Sequence, residues 1–585
     1  MKNNIPRNGF YHEGTKDTKK DKKGMLKYRQ FLSHIFLNLR DLRAFVVIPI
    51  VFVMLSIAAW AQPQFESVRE TVDGKERYVQ QATFEVTPCI PTEPALRYKL
   101  TWGFDQRTAT NAAVKYNFAM RELAQYRYGI LFGLTHDMKK DFDRILTEPE
   151  FFAEKKAALE AFEKELAALT EDSPKTAETL RSESLPNYQV YEYSHYCIYS
   201  RDKFPMEKAK KFVDGFRNVY HHIEAGSRSD YCNWEHHLRG NDNPIAILLP
   251  EIQEARDLAR ALQVKARVEI YEGNYGAAVQ TIRVGKHLAK HIADSPILVS
   301  KLVGIAIDGL MYSTLAELIR QPDAPNLYWT LSAQPNLAIT MAQAVEWEMD
   351  VLRQMLPGLA KAMDSPDELS DAEWKEIQDQ AIKIIPYIWD NMSPNQQFPP
   401  FVRESLYRSG GLVAYPKARQ WLIDGGKTPE EVESMSTAKV IGLWSVERYK
   451  ISRDGCLKLL TLPHWQRRPL FDEWNRKVQR EYANPVIPLD MLFNALYPAV
   501  GASFGAEARS VMQTDVLRIV EAIRLHAAQN DGKLPETLDD IVAVPIPPFD
   551  PFSGKPYSYK IKDGAAVIES DAAWSGFYRF VVTIK

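Results

Sequence analysis

The chain is poor in the residues from which recognisable chemistry is usually built. Its 585 residues hold four cysteines, Cys89, Cys197, Cys232 and Cys456. No Cys-x-x-Cys occurs, which excludes a thioredoxin-like redox pair and the usual structural zinc patterns. No Gly-x-Gly-x-x-Gly occurs, so a dinucleotide fold has no fingerprint. Neither sign of charge dominates: the net charge is −2, which gives no global case for nucleic-acid binding. Gly425-Gly426-Lys427-Thr428 lacks the first glycine of a phosphate loop, because Trp421 stands there, and ATP binding loses its support.

What is present is an ordinary globular balance, 45% hydrophobic and 25% charged, over a length that predicts two to four folded units. The small net charge hides an asymmetry. Residues 1–61 carry eleven Lys/Arg against four Asp/Glu; the rest carries 62 against 71. The basic lead, 1–43, ends at an 18-residue uncharged run, Ala44 to Ala61. Ala59-Trp60-Ala61 has the small-x-small form of a signal-peptidase site, with Gln62 as first mature residue. The same run is long enough to remain as a transmembrane anchor with the basic lead in the cytoplasm. Met25 is an alternative start that shortens the lead. Both readings place residues 62–585 in the cell envelope, anchored in the inner membrane or periplasmic after cleavage at Ala61. In such an oxidising compartment Cys197 and Cys232, both in the segment before the central helices, are the expected disulfide.

Residues 62–107 read as an extended linker, with short strands at 83–86 and 98–102 among Pro88, Pro91 and Pro94. Helical spacing then fills a first domain, 108–335, with helices at 110–130, 136–168 and 205–224. Its centre is a hairpin over 250–295. Ile252, Ala255, Ala259, Leu262 and Ala266 recur at steps of three and four; so do Ala278, Ile282, Gly285, Ala289 and Ile292. Gly273 lies in the turn between them, where a positive φ is needed. A third helix, Ile297 to Arg320, is apolar nearly all round, which predicts burial rather than a membrane span, since Lys301, Asp308 and Glu317 interrupt it. A second helical region covers 336–504, with helices at 335–356, 368–386, 396–423, 437–461 and 466–482. A long helix, 505–529, opens the last region, 505–585, and strands follow at 556–561, 565–570 and 576–584. The expected fold is mainly α, packed helical hairpins with a small C-terminal α+β element.

Ala266, Gly273, Tyr275, Ala278 and Ile282 stand at the offsets of a tetratricopeptide-type repeat, and the hairpin resembles one such unit. Gly285 and Lys290 depart from that pattern, and no second copy follows at its period. The resemblance implies packed helical hairpins and a protein-binding surface. The segment Asp550-Pro551-Phe552-Ser553-Gly554-Lys555-Pro556-Tyr557, after a long helix and before a small sheet, resembles the C-terminal part of type II secretion pseudopilins. The prepilin cleavage signature of that family is absent. The layout also resembles a group of exported bacterial helical proteins without established activity, through Asn111-Ala112-Ala113, Tyr116, Asp257 to Leu262, Leu302 to Ala306 and the Asp550 to Tyr557 tail. That likeness implies location, not mechanism.

Three catalytic patterns fail on context. Gly501-Ala502-Ser503-Phe504-Gly505 matches a hydrolase elbow but lacks the strand that must precede the serine. Ser436-Thr437-Ala438-Lys439 lacks the companion motifs of penicillin-binding enzymes, and Ser436 reads as a helix cap. His287 and His291 lie one turn apart, but Leu288 replaces the metalloprotease glutamate, and Arg283, Lys286 and Lys290 surround them with positive charge. These five residues read as a solvated basic face, with a surface for an anionic partner as the alternative. The pairs His221-His222 and His236-His237 read as loop and surface histidines, and Asp308 as an acid held by a nearby base. No catalytic residue, metal or cofactor is expected. The function expected is a cell-envelope binding or scaffold protein with an envelope protein partner. The alternatives are an envelope hydrolase whose site is not visible in local motifs, and a pseudopilin-like secretion component.

Overall fold

The computed structural model describes residues 65–72, 75–132, 201–236, 249–334, 339–392, 400–481, 488–571 and 577–585. The basic lead, the uncharged run, the predicted 136–168 helix, Cys197 and His237 lie outside these residues.

Among the described residues the chain is mainly helical, with a small sheet. It opens with β1 (Glu66–Val72), β2 (Lys75–Val86) and β3 (Thr108–Asn111), then α1 (Ala112–Phe132), α2 (Met206–Gly215), α3 (Arg217–Ser227) and β4 (Ser229–Tyr231). The hairpin follows as α4 (Pro250–Tyr271) and α5 (Tyr275–Ala293), with α6 (Leu298–Ile319) and α7 (Tyr328–Ser332) after it. The next helices are α8 (Ala342–Met355), α9 (Pro357–Asp364), α10 (Asp371–Met392), α11 (Pro400–Asp424), α12 (Pro429–Glu433) and α13 (Thr437–Leu457). The chain ends with α14 (His464–Glu481), α15 (Pro488–Gln529), β5 (Ser558–Lys562), β6 (Ala565–Asp571) and β7 (Phe577–Ile584).

Residues 66–86, read from the sequence as part of a linker, belong to the C-terminal sheet. Its order is β1-β2-β7-β6-β5, with β2 parallel to β7 and the other pairs antiparallel. Alternation explains the join. Ala82, Phe84 and Val86 are buried while Thr83 and Glu85 are exposed, and Tyr578, Phe580 and Val582 are buried beside them. A period-two apolar edge on β7 needs a neighbour, and β2 supplies it. The other face carries a charge ladder: Lys560 to Glu569 at 3.0 Å, Glu569 to Arg579 at 2.7 Å, Arg579 to Glu70 at 3.0 Å, and Glu70 to Arg77. The predicted strand at 98–102 does not form; Leu100 and Trp102 are instead buried in the helical core.

The α4–α5 turn is a Schellman motif. Asn274 N–H donates to Glu269 O at 2.8 Å, Gly273 N–H donates to Ile270 O at 3.0 Å, and Gly273 has φ +76°. Small residues then bring α5 and α6 together. A Cβ on Gly304 would lie 2.6 Å from Ala289 O and 2.7 Å from Ala293 Cβ, so backbone touches backbone there. By length and composition α6 is apolar enough to cross a membrane, but 89% of its apolar window is buried inside the body. Its all-round apolarity is that of a helix enclosed by α4, α5 and α15.

Two cores result. The larger one unites the sheet with α1, the α3–α6 group and the C-terminal half of α15. The smaller one gathers α8–α13 around the fully buried Trp374 and includes Leu489 at the start of α15. At 42 residues α15 is about 63 Å long by the rise of an α-helix, enough to serve both. Its N-terminal end is tied to the smaller core by the buried pair Arg448–Asp490 at 2.7 Å.

Candidate functional site

Of the five residues expected to form a basic surface, Lys286 and His291 are buried and Arg283, His287 and Lys290 are half-buried. Lys286 is 4% exposed and its Nζ lies 2.6 Å from Asp308 Oδ1; Asp308 Oδ2 accepts from Ser510 Oγ at 3.2 Å. His291 is buried, with Nδ1 2.8 Å from the Tyr116 hydroxyl. Arg283 is half-buried and stacks on Trp102, its guanidinium 4.1 Å from the ring centroid. His287 is half-buried in the same neighbourhood, and Lys290 pairs with Asp294 at 3.1 Å. The sequence places the two histidines opposite the Ala278/Ile282/Gly285 stripe; Lys286 instead faces α6 at Asp308, the helix that Gly285 also meets, at Met311. Lys286 and His291 are off the surface because α5 is covered on both sides, by α4 and α6 on one and by α3, the Trp102 segment and Tyr116 of α1 on the other.

Burial sets the electrostatics of this face. It pushes His287 down to about 3 and His291 down to about 4, in each case first by desolvation of the charged imidazole. For His287 a protonated His291 and the cations Arg283, Lys290 and Lys286 add to that; for His291, Asp294 opposes it. Both rings are therefore neutral at pH 7. A neutral ring with its proton on Nε2 accepts the Tyr116 O–H at Nδ1.

The rejected motifs have plain structural roles. Ser503 lies within the continuous α15, fully buried, and its Oγ donates to Val500 O at 2.7 Å. No strained turn exposes it. Ser436 Oγ caps α13 by accepting from Lys439 N–H at 3.2 Å. Thr428 forms a capping box with Glu431 at the start of α12, after Gly426 at φ +102°. His222 lies 3.4 Å from Glu122 and stacks on Phe118. Cys232 is a free thiol, half-buried, and the partner expected for it, Cys197, lies outside the described residues. Among the described residues no three His, Cys, Asp or Glu side chains are grouped to hold a metal ion.

Two groupings that local sequence did not reveal are present. The first lies at the far end of the hairpin. Ser295, from the α5–α6 turn, has Oγ 3.4 Å from His236 Nδ1, and His236 Nε2 lies 2.7 Å from Glu251 Oε1 in the first turn of α4. The three residues are 15 to 59 positions apart, so no motif search finds them. The second is the outer face of α14. Trp465 and Leu470 are 39% and 46% exposed, and Pro469, Glu473, Arg476, Lys477 and Arg480 are exposed with them. At 100° per residue these fall on one arc of about 140°. Glu473, Arg476, Lys477 and Arg480 line a surface hollow.

The start of α14 is set by the tail. His464 meets Phe552 edge-on at 5.2 Å, and the Trp465 ring packs on Gly554, where φ is +67°. The tail motif is thus a folded turn: Gly554 N–H donates to Asp550 O at 2.8 Å, and Asp550 Oδ1 accepts from Phe552 N–H and Ser570 Oγ, each at 3.0 Å. Comparison with protein-family models, with curated proteins and with solved structures finds no match to the chain.

Proposed function

We propose that the chain is an exported or membrane-anchored protein of the cell envelope, and that its helical body acts as a binding scaffold. The observation that carries the binding role is the outer face of α14. Its first half exposes an aromatic and an aliphatic side chain, Trp465 and Leu470, and its second half exposes Arg476, Lys477 and Arg480. Trp and Arg are the residues in which protein interfaces concentrate their binding energy. The basic end fits an acidic protein surface and speeds encounter with it. The face is held rigid from beneath, because Phe471 packs on Phe504 of α15 and Arg467 reaches Glu507 at 3.3 Å. The envelope location is supported by the sequence alone, through the basic lead and the run Ala44 to Ala61.

The test is co-purification of partners from native membranes. The triple variant R476E/K477E/R480E is expected to lose a partner that the wild-type chain retains, while its melting curve is unchanged, since all three side chains are on the surface. Retention of every partner by the charge-reversed chain ends the proposal.

A further inference from the structure

Ser295, His236 and Glu251 come from three separate segments and form one chain of contacts, hydroxyl to imidazole to carboxylate. All three are nearly buried: Ser295 is 7% exposed, and the His236 and Glu251 side chains are 9% and 8% exposed. That sequence of groups is what nucleophilic catalysis requires: a base in reach of the hydroxyl and a third group that holds the base. The ring nitrogens face the opposite way from those of the serine proteases. The chemistry permits this, because a neutral imidazole with its proton on one nitrogen carries a lone pair on the other.

The local structure supports each role. Glu251 stands in the first turn of α4, where the helix dipole favours an ionised carboxylate. An ionised Glu251 can only accept, so the proton shared at 2.7 Å sits on His236 Nε2, and the lone pair is on Nδ1, facing Ser295 Oγ. Ser295 precedes Pro296 in the turn between α5 and α6, with the positive end of the α6 dipole beginning three residues on, at Leu298. The 3.4 Å separation of hydroxyl and base is of the kind that tightens when an acyl group is bound.

We propose that Ser295 is the nucleophile of an acyl-transfer site acting on a small carboxylic ester. Ser295 Oγ attacks the carbonyl carbon and its proton passes to His236 Nδ1. The bond to the leaving alkoxide breaks, and the alkoxide departs as the alcohol with that proton. Water then attacks the acyl-serine, His236 takes its proton and returns it to Ser295, and the carboxylic acid is released. Glu251 is a positioning residue that fixes the tautomer of His236. This activity is separate from partner binding on α14 and survives or fails independently of it.

The purified full chain is treated with a small fluorophosphonate and the adduct is mapped by peptide mass spectrometry. The expected result is an adduct on Ser295 that H236Q lacks and S295A cannot form, with melting curves confirming that each variant is folded. E251Q is expected to slow adduct formation by about a hundredfold or more at an unchanged melting temperature, and E251D to recover part of the rate. Absence of an adduct on Ser295 in the folded wild-type chain, or equal adduct formation in wild type and H236Q, overturns the proposal.

Discussion

Arg524 and Glu521 lie three residues apart on α15 and form an ion pair with both side chains fully buried, Arg524 Nη1 contacting the two carboxylate oxygens at 2.9 and 3.1 Å. The remaining donors of the guanidinium go to main chain from distant parts of the sequence. Nε donates to Thr87 O at 2.9 Å and Nη2 donates to Ala324 O at 2.8 Å. Asn326 Nδ2 adds to the junction, donating to Cys89 O at 3.1 Å and to Glu521 O at 2.9 Å. One arginine thus fastens the end of β2, the α6–α7 connection and the last long helix to each other.

Arg524→Met should remove this fastening and take the guanidinium donors away from a carboxylate and from the carbonyls of Thr87, Ala324 and Pro325. Losing one partner of a buried pair costs about 3–5 kcal/mol. The expected result is an unfolding free energy, measured in urea, lowered by that amount, with Glu521→Leu added to Arg524→Met recovering part of the loss, because no charge is then stranded. A stability within about 1 kcal/mol of wild type for Arg524→Met alone would refute the assigned role.

Much of the fold was legible because period and punctuation agreed. The hairpin, its Gly273 turn and the buried third helix all follow from apolar steps of three and four, one left-handed glycine and one proline. The long-range joins were not legible. Nothing local in Lys75 to Val86 says that it pairs with β7, about 500 residues away, and the strand was visible only where its alternation was cleanest, at Thr83 to Val86. The burial of Lys286 and His291 on α5 was hidden for a related reason. A helical wheel gives the direction of Lys286 and His291 but not what stands in that direction; here it is Asp308 and Tyr116. Ser295, His236 and Glu251 were each readable singly, as a turn residue, a loop histidine and a first-turn acid, and only tertiary packing brings them together.

Lys286 gives the direct contrast with a surface cation. Charge reversal there should unfold the protein rather than release a partner, since Lys286→Glu sets two carboxylates together in the core beside Asp308. Lys286→Met keeps the volume but strands Asp308, and about 3–5 kcal/mol should be lost. Thermal melting of both variants checks this. An unchanged melting temperature for Lys286→Glu contradicts the buried pair.

The proposed export can be read out at the far end of the chain. Lys585 N–H donates to Val86 O at 2.9 Å, so the C-terminal residue sits in the sheet built on β2. A reporter fused after residue 585 therefore occupies the same compartment as the folded body. A reporter that works only in the periplasm should be active there; activity confined to a cytoplasmic reporter rules the export reading out.

His291 makes a pH dependence whose sign follows from its surroundings. Burial lowers it from 6.5 to about 4, so the folded protein holds it neutral where the unfolded chain takes up a proton. The stability this contributes is complete above about pH 6.5 and is lost progressively as the pH falls from there to about 4. A tenfold difference in proton affinity between the folded and unfolded chain is worth about 1.4 kcal/mol, so His291 accounts for about 3 kcal/mol across that window. Burial pushes Glu348 up to about 7, which gives a slope of the opposite sign, stability falling as the pH rises. Glu348 is the same in wild type and in His291→Gln, so the difference between the two isolates the histidine. His291→Gln should start less stable at pH 7, through the altered Tyr116 contact, and should then lose less between pH 6.5 and 4. Urea midpoints at several pH values decide it. Parallel curves would mean that His291 is solvated in the fold, contrary to its cover by Tyr116 and Trp234.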